Sequence, residues 1–456
     1  MRLFHTRVWL ICVCLLSCWW PPEMQAQQKK QLPNIILILV DDAGYADFSF
    51  MSNRLIATPN IDRIANEGAR FTNAYMTCSV CSPSRAGILT GVNQARFGHV
   101  YNYVRGVTYN IPADSFGLPL SQRLVGDYLK PLGYTTGMVG KWHEGLSAQF
   151  RPDKRGFDYW WGFLWGASNY LTGKAKEVQE DGVAIPADSI PYMTDAISNQ
   201  ALGFIERNQH APFFLYVSFN AVHAPMEAEP AALDKFKGKF ADKGRVAKAA
   251  MTWNLDENVG RILQKLDTLH LLENTLIIFT NDNGGQTLSF SDNYPLRGKK
   301  GDLYEGGLRV PMAMMWKGKV QPGLVYNGPV TSLDFLPTFL AAANTDARQY
   351  PMLEGINLLP FVNAAKRKAP LFNRSLYWYI GLDRGAVRSG DWKLVCYPGQ
   401  PPALYRLSTD IGETTELSAQ YPAKAKQLFR LYSKWQQSLP TPSWIPQLEK
   451  DRNEIQ

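Results

Sequence analysis

Three short and nearly continuous apolar runs constrain the fold of this chain more than any other feature. They are Ile35–Val40, Phe213–Phe219 and Leu276–Phe279. A strand covered on both faces shows this pattern, which is typical of a parallel sheet packed between layers of helices. Helical patterns alternate with these runs at Pro59–Glu67, Leu120–Leu132, Thr194–Asn208, Ala249–Leu266 and Asp334–Ala343. The alternation predicts an α/β sandwich with a large, mostly parallel central sheet.

The pattern changes in the C-terminal part of the chain. Gly385–Tyr397 and Ala403–Leu407 alternate like antiparallel strands, and Lys424–Gln436 has the pattern of a final helix. We therefore predict a larger domain over residues 27–365. A smaller α+β subdomain with an antiparallel sheet is expected over residues 366–456.

The N-terminal stretch MRLFHTRVWLICVCLLSCWW has the basic residues and short apolar run of an export signal. Two interpretations remain open. Residues 1–26 are a signal peptide cleaved after Ala26, or residues 15–18 form a bacterial lipoprotein box that makes Cys18 a lipid-anchored first residue. Either one predicts a mature protein that is periplasmic, anchored to the outer membrane or secreted. Later apolar runs are of strand length, so no transmembrane span is expected.

The charge distribution and the cysteine content argue against a nucleic-acid-binding protein and against a disulfide-based scaffold. The net charge of +8 comes from scattered lysines and arginines, without a basic tract, so nucleic acid is not expected as a partner. Behind the export signal only Cys78, Cys81 and Cys396 remain, an odd number that defines no disulfide framework.

Polar residues follow two of the buried runs. Asp41-Asp42 comes directly after the first, and Asn281-Asp282-Asn283 follows the third. Because the carboxyl ends of parallel strands meet at one edge of a sheet, these side chains are expected to lie together. Carboxylate and amide oxygens are the ligands of a hard cation, Ca²⁺ or Mg²⁺.

Cations and histidines occur at other strand ends. Lys141 and His143 follow the strand-like run Thr135–Val139, and His223 follows the second buried run. The glycine-rich loop Pro295–Pro311 is also cationic. Positive side chains fit a tetrahedral oxyanion, and histidines fit proton transfer, so hydrolysis of a sulfate or phosphate ester is indicated.

The stretch TCSVCSPSRAGILTG at residues 77–91 predicts a helix with a cysteine at its start. Pro83 suits the first helical position, Ser82 or Ser84 can cap it, and Gly91 marks its end. Cys81 then lies at the positive end of the helix dipole, with Arg85 one turn further on the same face.

These motifs resemble the type I sulfatases of the alkaline-phosphatase-like superfamily. Residues 81–91 match the signature C-x-P-S-R-x-x-x-L-T-G at every fixed position, and residues 133–143, GYTTGMVGKWH, match the second signature. Residues 33–44, 58–75, 295–311, 388–394 and 404–407 also look like sulfatase segments. The resemblance therefore covers nearly the whole mature chain.

The resemblance implies a mechanism. Cys81 would be oxidised by a formylglycine-generating maturation enzyme to an aldehyde, whose hydrate supplies the nucleophile, and Arg85 would hold that hydrate. The implied Ca²⁺ ligands are Asp41, Asp42, Cys81, Asp282 and Asn283.

The remaining roles are also carried over from the family. Lys141 and Lys300 would hold the sulfate oxygens, His223 would protonate the leaving alcohol, and His143 would take a proton from the second hydroxyl of the hydrate. Lys300 is preferred over Lys299 because Gly301 follows it. Residues 165–170 do not match cleanly the segment in which some sulfatases have a serine of the sulfate pocket, and Ser168 is the candidate there. Asn281 stands where the family usually has Ser or Ala.

The expected substrate is a sulfated carbohydrate, such as a glycosaminoglycan, mucin glycan or algal polysaccharide fragment. The alternative is a phosphomonoester or phosphonate-ester hydrolase on the same fold. A thiol phosphatase needs five residues between its cysteine and arginine, and this chain has three. An inactive carbohydrate-binding relative is disfavoured because every polar motif position is intact.

Overall fold

The computed structural model describes residues 32–51, 56–363, 373–381 and 383–446. The export signal predicted at residues 1–26, including Cys18, lies outside them. An eleven-stranded mixed sheet and a four-stranded antiparallel sheet occupy the described part of the chain, which confirms the predicted fold class.

The strands of the larger sheet are β1 (Asn34–Val40), β2 (Ala69–Tyr75), β3 (Thr135–Lys141), β4 (Tyr159–Phe163), β5 (Val178–Glu180), β6 (Val183–Ala184), β7 (Phe213–Ser218), β8 (Thr275–Asn281), β9 (Arg309–Met315), β10 (Leu324–Tyr326) and β11 (Val330–Thr331). Those of the smaller sheet are β12 (Ser375–Ile380), β13 (Arg384–Ser389), β14 (Trp392–Cys396) and β15 (Ala403–Arg406). The α-helices are α1 (Pro59–Asn66), α2 (Cys81–Thr90), α3 (Val125–Leu129), α4 (Met193–Arg207), α5 (Pro230–Phe236), α6 (Lys243–Thr268), α7 (Glu305–Leu308), α8 (Phe335–Ala342), α9 (Leu359–Val362) and α10 (Pro422–Gln436).

The centre of the larger sheet is parallel. Strand β1 lies between β7 and β8, and β3 and β4 extend the parallel order beyond β7. Antiparallel pairs occur on both sides, where β9 joins β8 to β2 and β5 joins β4 to β6. The three buried apolar runs of the sequence are thus the three adjacent central strands.

Side chains of β1 alternate between two hydrophobic cores. Ile36 and Ile38 face a core that includes residues of α1, α4 and α6. Ile35 and Leu37 face the opposite core, which includes residues of α2, α3 and α8. All seven residues of β1 are buried, which explains why this strand reads as a continuous apolar run rather than an alternating one.

Two predicted helices have different bounds in the structure. The pattern at 120–132 forms only the short helix α3 and a 3₁₀ turn. The backbone before α3 is not helical because its carbonyl groups have another hydrogen-bond partner. The Arg155 guanidinium donates to the carbonyls of Leu118, Pro119 and Gln122. Helix α6 begins six residues earlier than predicted, at Lys243, where the Asp242 carboxylate accepts from the amides of Gly244 and Arg245.

Membrane-spanning helices are not found among the described residues. Cys78, Cys81 and Cys396 are all buried.

Candidate active site

The carboxyl ends of the central parallel strands converge on one site. Asp41 and Asp42 follow β1, Asp282 and Asn283 follow β8, Lys141 ends β3, and His143 lies two residues beyond it. The register places Val40 beside Asn281 and Leu39 beside Ser218 on the flanking strands. Side chains that are far apart in sequence are therefore adjacent because parallel strands end at the same edge.

Helix α2 presents Cys81 as its first residue, with Val80 in extended conformation before it. The expected caps were wrong: Pro83 is the third helical residue, and neither Ser82 nor Ser84 caps the helix. Instead, the Asn102 side chain accepts from the Ser82 amide at 2.9 Å. Gly91 ends the helix in a left-handed conformation, φ 67°, as predicted.

Three carboxylates and the Cys81 sulfur form a compact donor cluster. Ligand atoms of Asp41, Asp42, Asp282 and Cys81 all lie within 4.8 Å of one another. The Asn283 side chain donates to Asp42 at 2.8 Å, while its own buried oxygen has no hydrogen-bond partner in the described structure. A buried amide oxygen without a donor beside three carboxylates fits a hard divalent cation.

Three cations are paired with these carboxylates. Lys141 Nζ lies 2.6 Å from Asp41, Lys300 Nζ 2.8 Å from Asp42, and Arg85 Nη2 2.8 Å from Asp282. Arg85 and Lys141 are fully buried, and Lys300 is nearly so. Buried charges of this kind are retained only when they are paired or hydrogen-bonded.

Burial and neighbouring charges shift the pKa values of side chains in the site. Burial raises the pKa of Asp42, but the Lys300 ammonium, with His223 and Lys141, outweighs it and lowers that pKa below its usual range. Burial and the Asp282 carboxylate raise the pKa of the Cys81 thiol. The unmodified sulfur is therefore a neutral thiol and a poor nucleophile at neutral pH.

The two histidines hold their protons on defined atoms. His143 Nε2 lies 3.4 Å from the Tyr103 carbonyl, so Nε2 is the donor and Nδ1, which has no partner, holds the lone pair. His223 Nδ1 donates to the Ala224 carbonyl at 2.5 Å, and its Nε2 lies 3.5 Å from Asp42. Burial, together with Lys300 and Lys141, lowers the pKa of His223 to about 4.

Two residues of the site have a strained backbone. Asp42 and His143 adopt left-handed conformations, with φ 57° and φ 63°. Residues without glycine's freedom adopt this region only where surrounding contacts enforce it, and such residues are enriched in functional sites. The strain was not predicted from the sequence.

A cavity of about 470 Å³ opens above the cluster. Asp42, Cys81, His143, His223 and Lys300 contribute to its lining. Tyr103, which is buried beside His143, also lines it. The more exposed part of the lining includes Arg105, Trp165, Lys176 and Leu288. Ser168 also lines it, with a buried hydroxyl that has no hydrogen-bond partner in the described structure.

All the residues proposed from the sequence meet at this site. Lys300 rather than Lys299 faces the carboxylates, since Lys299 is exposed. In a comparison with known protein families, residues 33–345 match the family described as Sulfatase. The chain belongs to the sulfatase family. This sulfatase is accordingly a sulfuric ester hydrolase.

Individual relatives cover most of this sulfatase. It is 32% identical over 394 residues to N-acetylgalactosamine-6-sulfatase of Homo sapiens, which covers 81% of this chain and 72% of the relative. It is 33% identical over 441 residues to human arylsulfatase A, covering 84% and 83% of the two chains. The crystal structure of Ps i-CgsB in complex with k-i-k-neocarrahexaose superposes with a TM-score of 0.85 and 32% identity, covering 93% and 97%.

The sequence did not predict a role for Ser218 or the hydrogen bonds of Asn281, and both residues shape this site. Ser218 receives the Arg85 guanidinium at 2.6 Å and donates to the Lys141 carbonyl at 2.7 Å. Asn281 accepts from the Ala43 amide and donates to its carbonyl, which fixes the segment after β1. The two buried strands that end in Ser218 and Asn281 were visible in the sequence, but the partners across them were not.

Proposed function

We propose that this sulfatase hydrolyses sulfate esters of a carbohydrate, using a formylglycine formed from Cys81 and a calcium ion. One observation carries the proposal. Cys81 stands at the start of α2, on the lining of the cavity, within 4.8 Å of three carboxylate ligand atoms and among three buried cations.

The donor set fits calcium. Asp41, Asp42, Asp282 and the unpartnered Asn283 oxygen are the residues that would hold the ion, with residue 81 beside them. Bound there, calcium supplies positive charge that stabilises a deprotonated oxygen and the sulfate oxygens.

Residue 81 needs its conversion to act. As formylglycine it supplies a hydrated aldehyde, whose hydroxyl is a better nucleophile in this site than the neutral thiol. Arg85 is fixed by Asp282 and Ser218 and so holds the hydrate in position.

The lysines and the histidines have separate roles in the rest of the reaction. Lys141 and Lys300 offset negative charge on the sulfate oxygens from fixed positions, so little reorganisation is required. His143 holds a lone pair on Nδ1 and serves as the base toward the second hydroxyl of the hydrate. His223 lines the cavity and donates from Nδ1 to Ala224, so it serves as the acid toward the leaving alcohol through Nε2 in its doubly protonated form, which the Asp42 carboxylate 3.5 Å away favours.

A carbohydrate substrate is supported by relatives and by the cavity. The named relatives include a sulfatase of N-acetylgalactosamine 6-sulfate groups and a protein crystallised with a neocarrahexaose. The cavity is large enough for a sugar, and Trp165 offers an aromatic surface at its outer part. Export of the mature chain, which the N-terminal sequence predicts, suits a substrate found outside the cell.

Paired ester substrates test the reaction class. Turnover of an aryl sulfate should exceed that of the matching aryl phosphate, and a panel of sulfated oligosaccharides analysed by mass spectrometry should show loss of a sulfate group. A strong phosphate preference would instead establish the phosphomonoester or phosphonate-ester alternative. Activity on aryl sulfates without activity on any saccharide would reject the carbohydrate assignment.

Calcium is tested on the same protein. Dialysis against a calcium chelator should abolish sulfate release and lower the thermal unfolding midpoint, and added Ca²⁺ should restore both. An unchanged midpoint and unchanged turnover after chelation would contradict the metal site.

A further inference from the structure

The outer part of the cavity carries two cations that the reaction does not use. Arg105 and Lys176 line the same cavity as Cys81, and both side chains are exposed. At the inner end of the cavity, Lys141, Lys300 and Arg85 already offset the negative charge of the reacting sulfate. The outer pair is therefore available to a different group of the substrate.

Arg105 is held in a defined orientation. Its guanidinium carbon lies 4.2 Å from the centre of the Trp165 ring, and Nη2 lies 2.9 Å from the Glu177 carboxylate. Glu177 is not part of the cavity lining, so it fixes the guanidinium from outside. An arginine has five N–H donors, and a stacked, pre-oriented guanidinium loses little freedom when it binds an anion.

Lys176 differs from its neighbour Lys174. Lys174 Nζ lies 3.1 Å from Glu227 and does not line the cavity. Lys176 lines the cavity, and within the described residues its ammonium forms no hydrogen bond or ion pair. No acidic side chain of the described residues therefore neutralises its charge.

We propose that Arg105 and Lys176 form a second anion subsite, which binds another sulfate or a carboxylate on the sugar chain that carries the reacting sulfate. This inference rests on the proposed carbohydrate sulfatase activity. It assigns the substrate class: a saccharide with at least two negative groups, one at the inner end of the cavity and one at its mouth. Trp165, stacked against Arg105, also lines the cavity and offers an aromatic surface to the sugar.

The test compares substrates that differ only in the second charge. Four are needed: an aryl sulfate, a monosulfated oligosaccharide, the same oligosaccharide with a second sulfate, and one with a uronate carboxylate. The variant is Arg105→Gln with Lys176→Gln. Lys174→Gln is the matched control, because it removes a nearby lysine charge outside the cavity.

The wild type is expected to prefer one or both dianionic saccharides, and the double variant should lose about fivefold to tenfold in kcat/KM on them. Its kcat/KM for the aryl sulfate and the monosulfated saccharide should change less than about twofold. The preference should weaken at high salt because both cations are exposed. A loss of kcat/KM on the disulfated oligosaccharide identifies the second group as a sulfate, and a loss on the uronate-containing oligosaccharide identifies it as a carboxylate.

Equal losses on all four substrates, no loss on any, or the same loss in Lys174→Gln would overturn the second subsite. Those outcomes leave the proposed function standing, since the wild type still releases sulfate. A wild type that releases no sulfate from any ester would instead reject the proposed function itself.

Discussion

Cys81 combines three properties that are rarely found together at one residue. It is the first residue of α2, it is buried, and it lies 3.7 Å from the Asp41 carboxylate. Burial keeps its thiol neutral, so the position suits a residue that is converted before it reacts. Cys78, three residues away, is also buried but lies in the core between β2 and the small sheet.

Replacing the two cysteines separates these roles. Cys81→Ala should lower sulfate release by at least about 10³-fold, because the nucleophile is lost. Cys78→Ala is the matched control and should retain activity while losing some stability. Peptide mass spectrometry of the wild type from its native host should show an aldehyde at residue 81. Full activity with an unmodified thiol there would rule out the formylglycine nucleophile.

His99 is a buried polar side chain that contacts Ser82, the residue after Cys81. Its Nε2 lies 2.7 Å from the Ser82 hydroxyl, and its Nδ1 lies 3.8 Å from Glu144. Burial lowers the pKa of His99 to about 3, and it raises the pKa of Glu144 well above the usual value. The His99 ring is thus neutral at neutral pH.

A pH-dependent loss of stability follows for His99. Its folded-state pKa lies below the unfolded value of 6.5, so the unfolded chain binds more protons and stability falls as the pH drops below 6.5. From pH 7 to pH 5 this residue should cost about 2 kcal/mol. His99→Gln, which can still bond Ser82, should reduce the shift in urea midpoint between these pH values. An unchanged shift would show that His99 does not titrate in this way.

At the scale of elements, the segment between β8 and β9 brings Lys300 to the site. The Lys300 amide donates to the Gly285 carbonyl, and the Gly301 amide donates to the Ser79 carbonyl just before α2. Gly284 packs so closely against the Gly306 carbonyl that a Cβ atom there would overlap it. The segment is therefore anchored to both β8 and the start of α2.

Substitution of each of the two adjacent lysines tests which of them this segment brings to the sulfate. Lys300→Ala should reduce kcat/KM for an aryl sulfate by about 10²-fold, since a fixed charge facing the sulfate is removed. Lys299→Ala should change it less than about twofold, because that side chain is exposed and only its neighbour reaches Asp42. Kinetics of both variants at one calcium concentration measure the difference. The reverse order of effects would assign the sulfate contact to Lys299.

At the scale of the whole described chain, buried ion pairs join the small sheet to the Lys300 segment. Lys393 on β14 lies 2.9 Å from Glu305 and 3.0 Å from Glu413, and all three are fully buried. The Glu305 amide also donates to Glu413 at 2.6 Å. Arg297, at the other end of the segment, stacks 3.8 Å from the Tyr304 ring and donates to the Glu413 carbonyl.

Removing Lys393 should therefore affect both stability and activity. Lys393→Met removes the ammonium that pairs with the buried Glu413 and one of the cations that pair with Glu305, which keeps Arg309 3.3 Å away. This should lower the free energy of unfolding by about 3–5 kcal/mol and reduce kcat for an aryl sulfate. Adding Glu413→Gln should recover part of the lost stability, as measured by urea unfolding.

Lys265→Met is the control for that experiment, since its partner Glu206 is exposed and the pair lies 3.2 Å apart on the surface. It should cost less than about 1 kcal/mol. Similar losses in both lysine variants would show that the buried pairs do not join the small sheet to the site.

The sequence by itself determined the central strands and the polar side chains that meet at their carboxyl ends. Continuous apolar runs can only be strands or helices buried on every side, and parallel strands bring their carboxyl ends to one edge. Asp41, Asp42, Asp282, Asn283, Lys141 and Cys81 therefore meet where the sequence placed them. The resemblance of residues 81–91 to one family supplied what spacing could not, namely the roles of these residues.

Only the tertiary structure decided how those residues are held. The cap of α2 comes from Asn102 rather than from Ser82 or Ser84, the helix expected at 120–132 is shortened by Arg155, and Arg105 and Lys176 reach the cavity mouth from loops. The physical reason is common to all three. Burial is recorded locally in the apolar pattern, whereas a hydrogen bond or ion pair depends on a partner that the chain brings near only when it is folded.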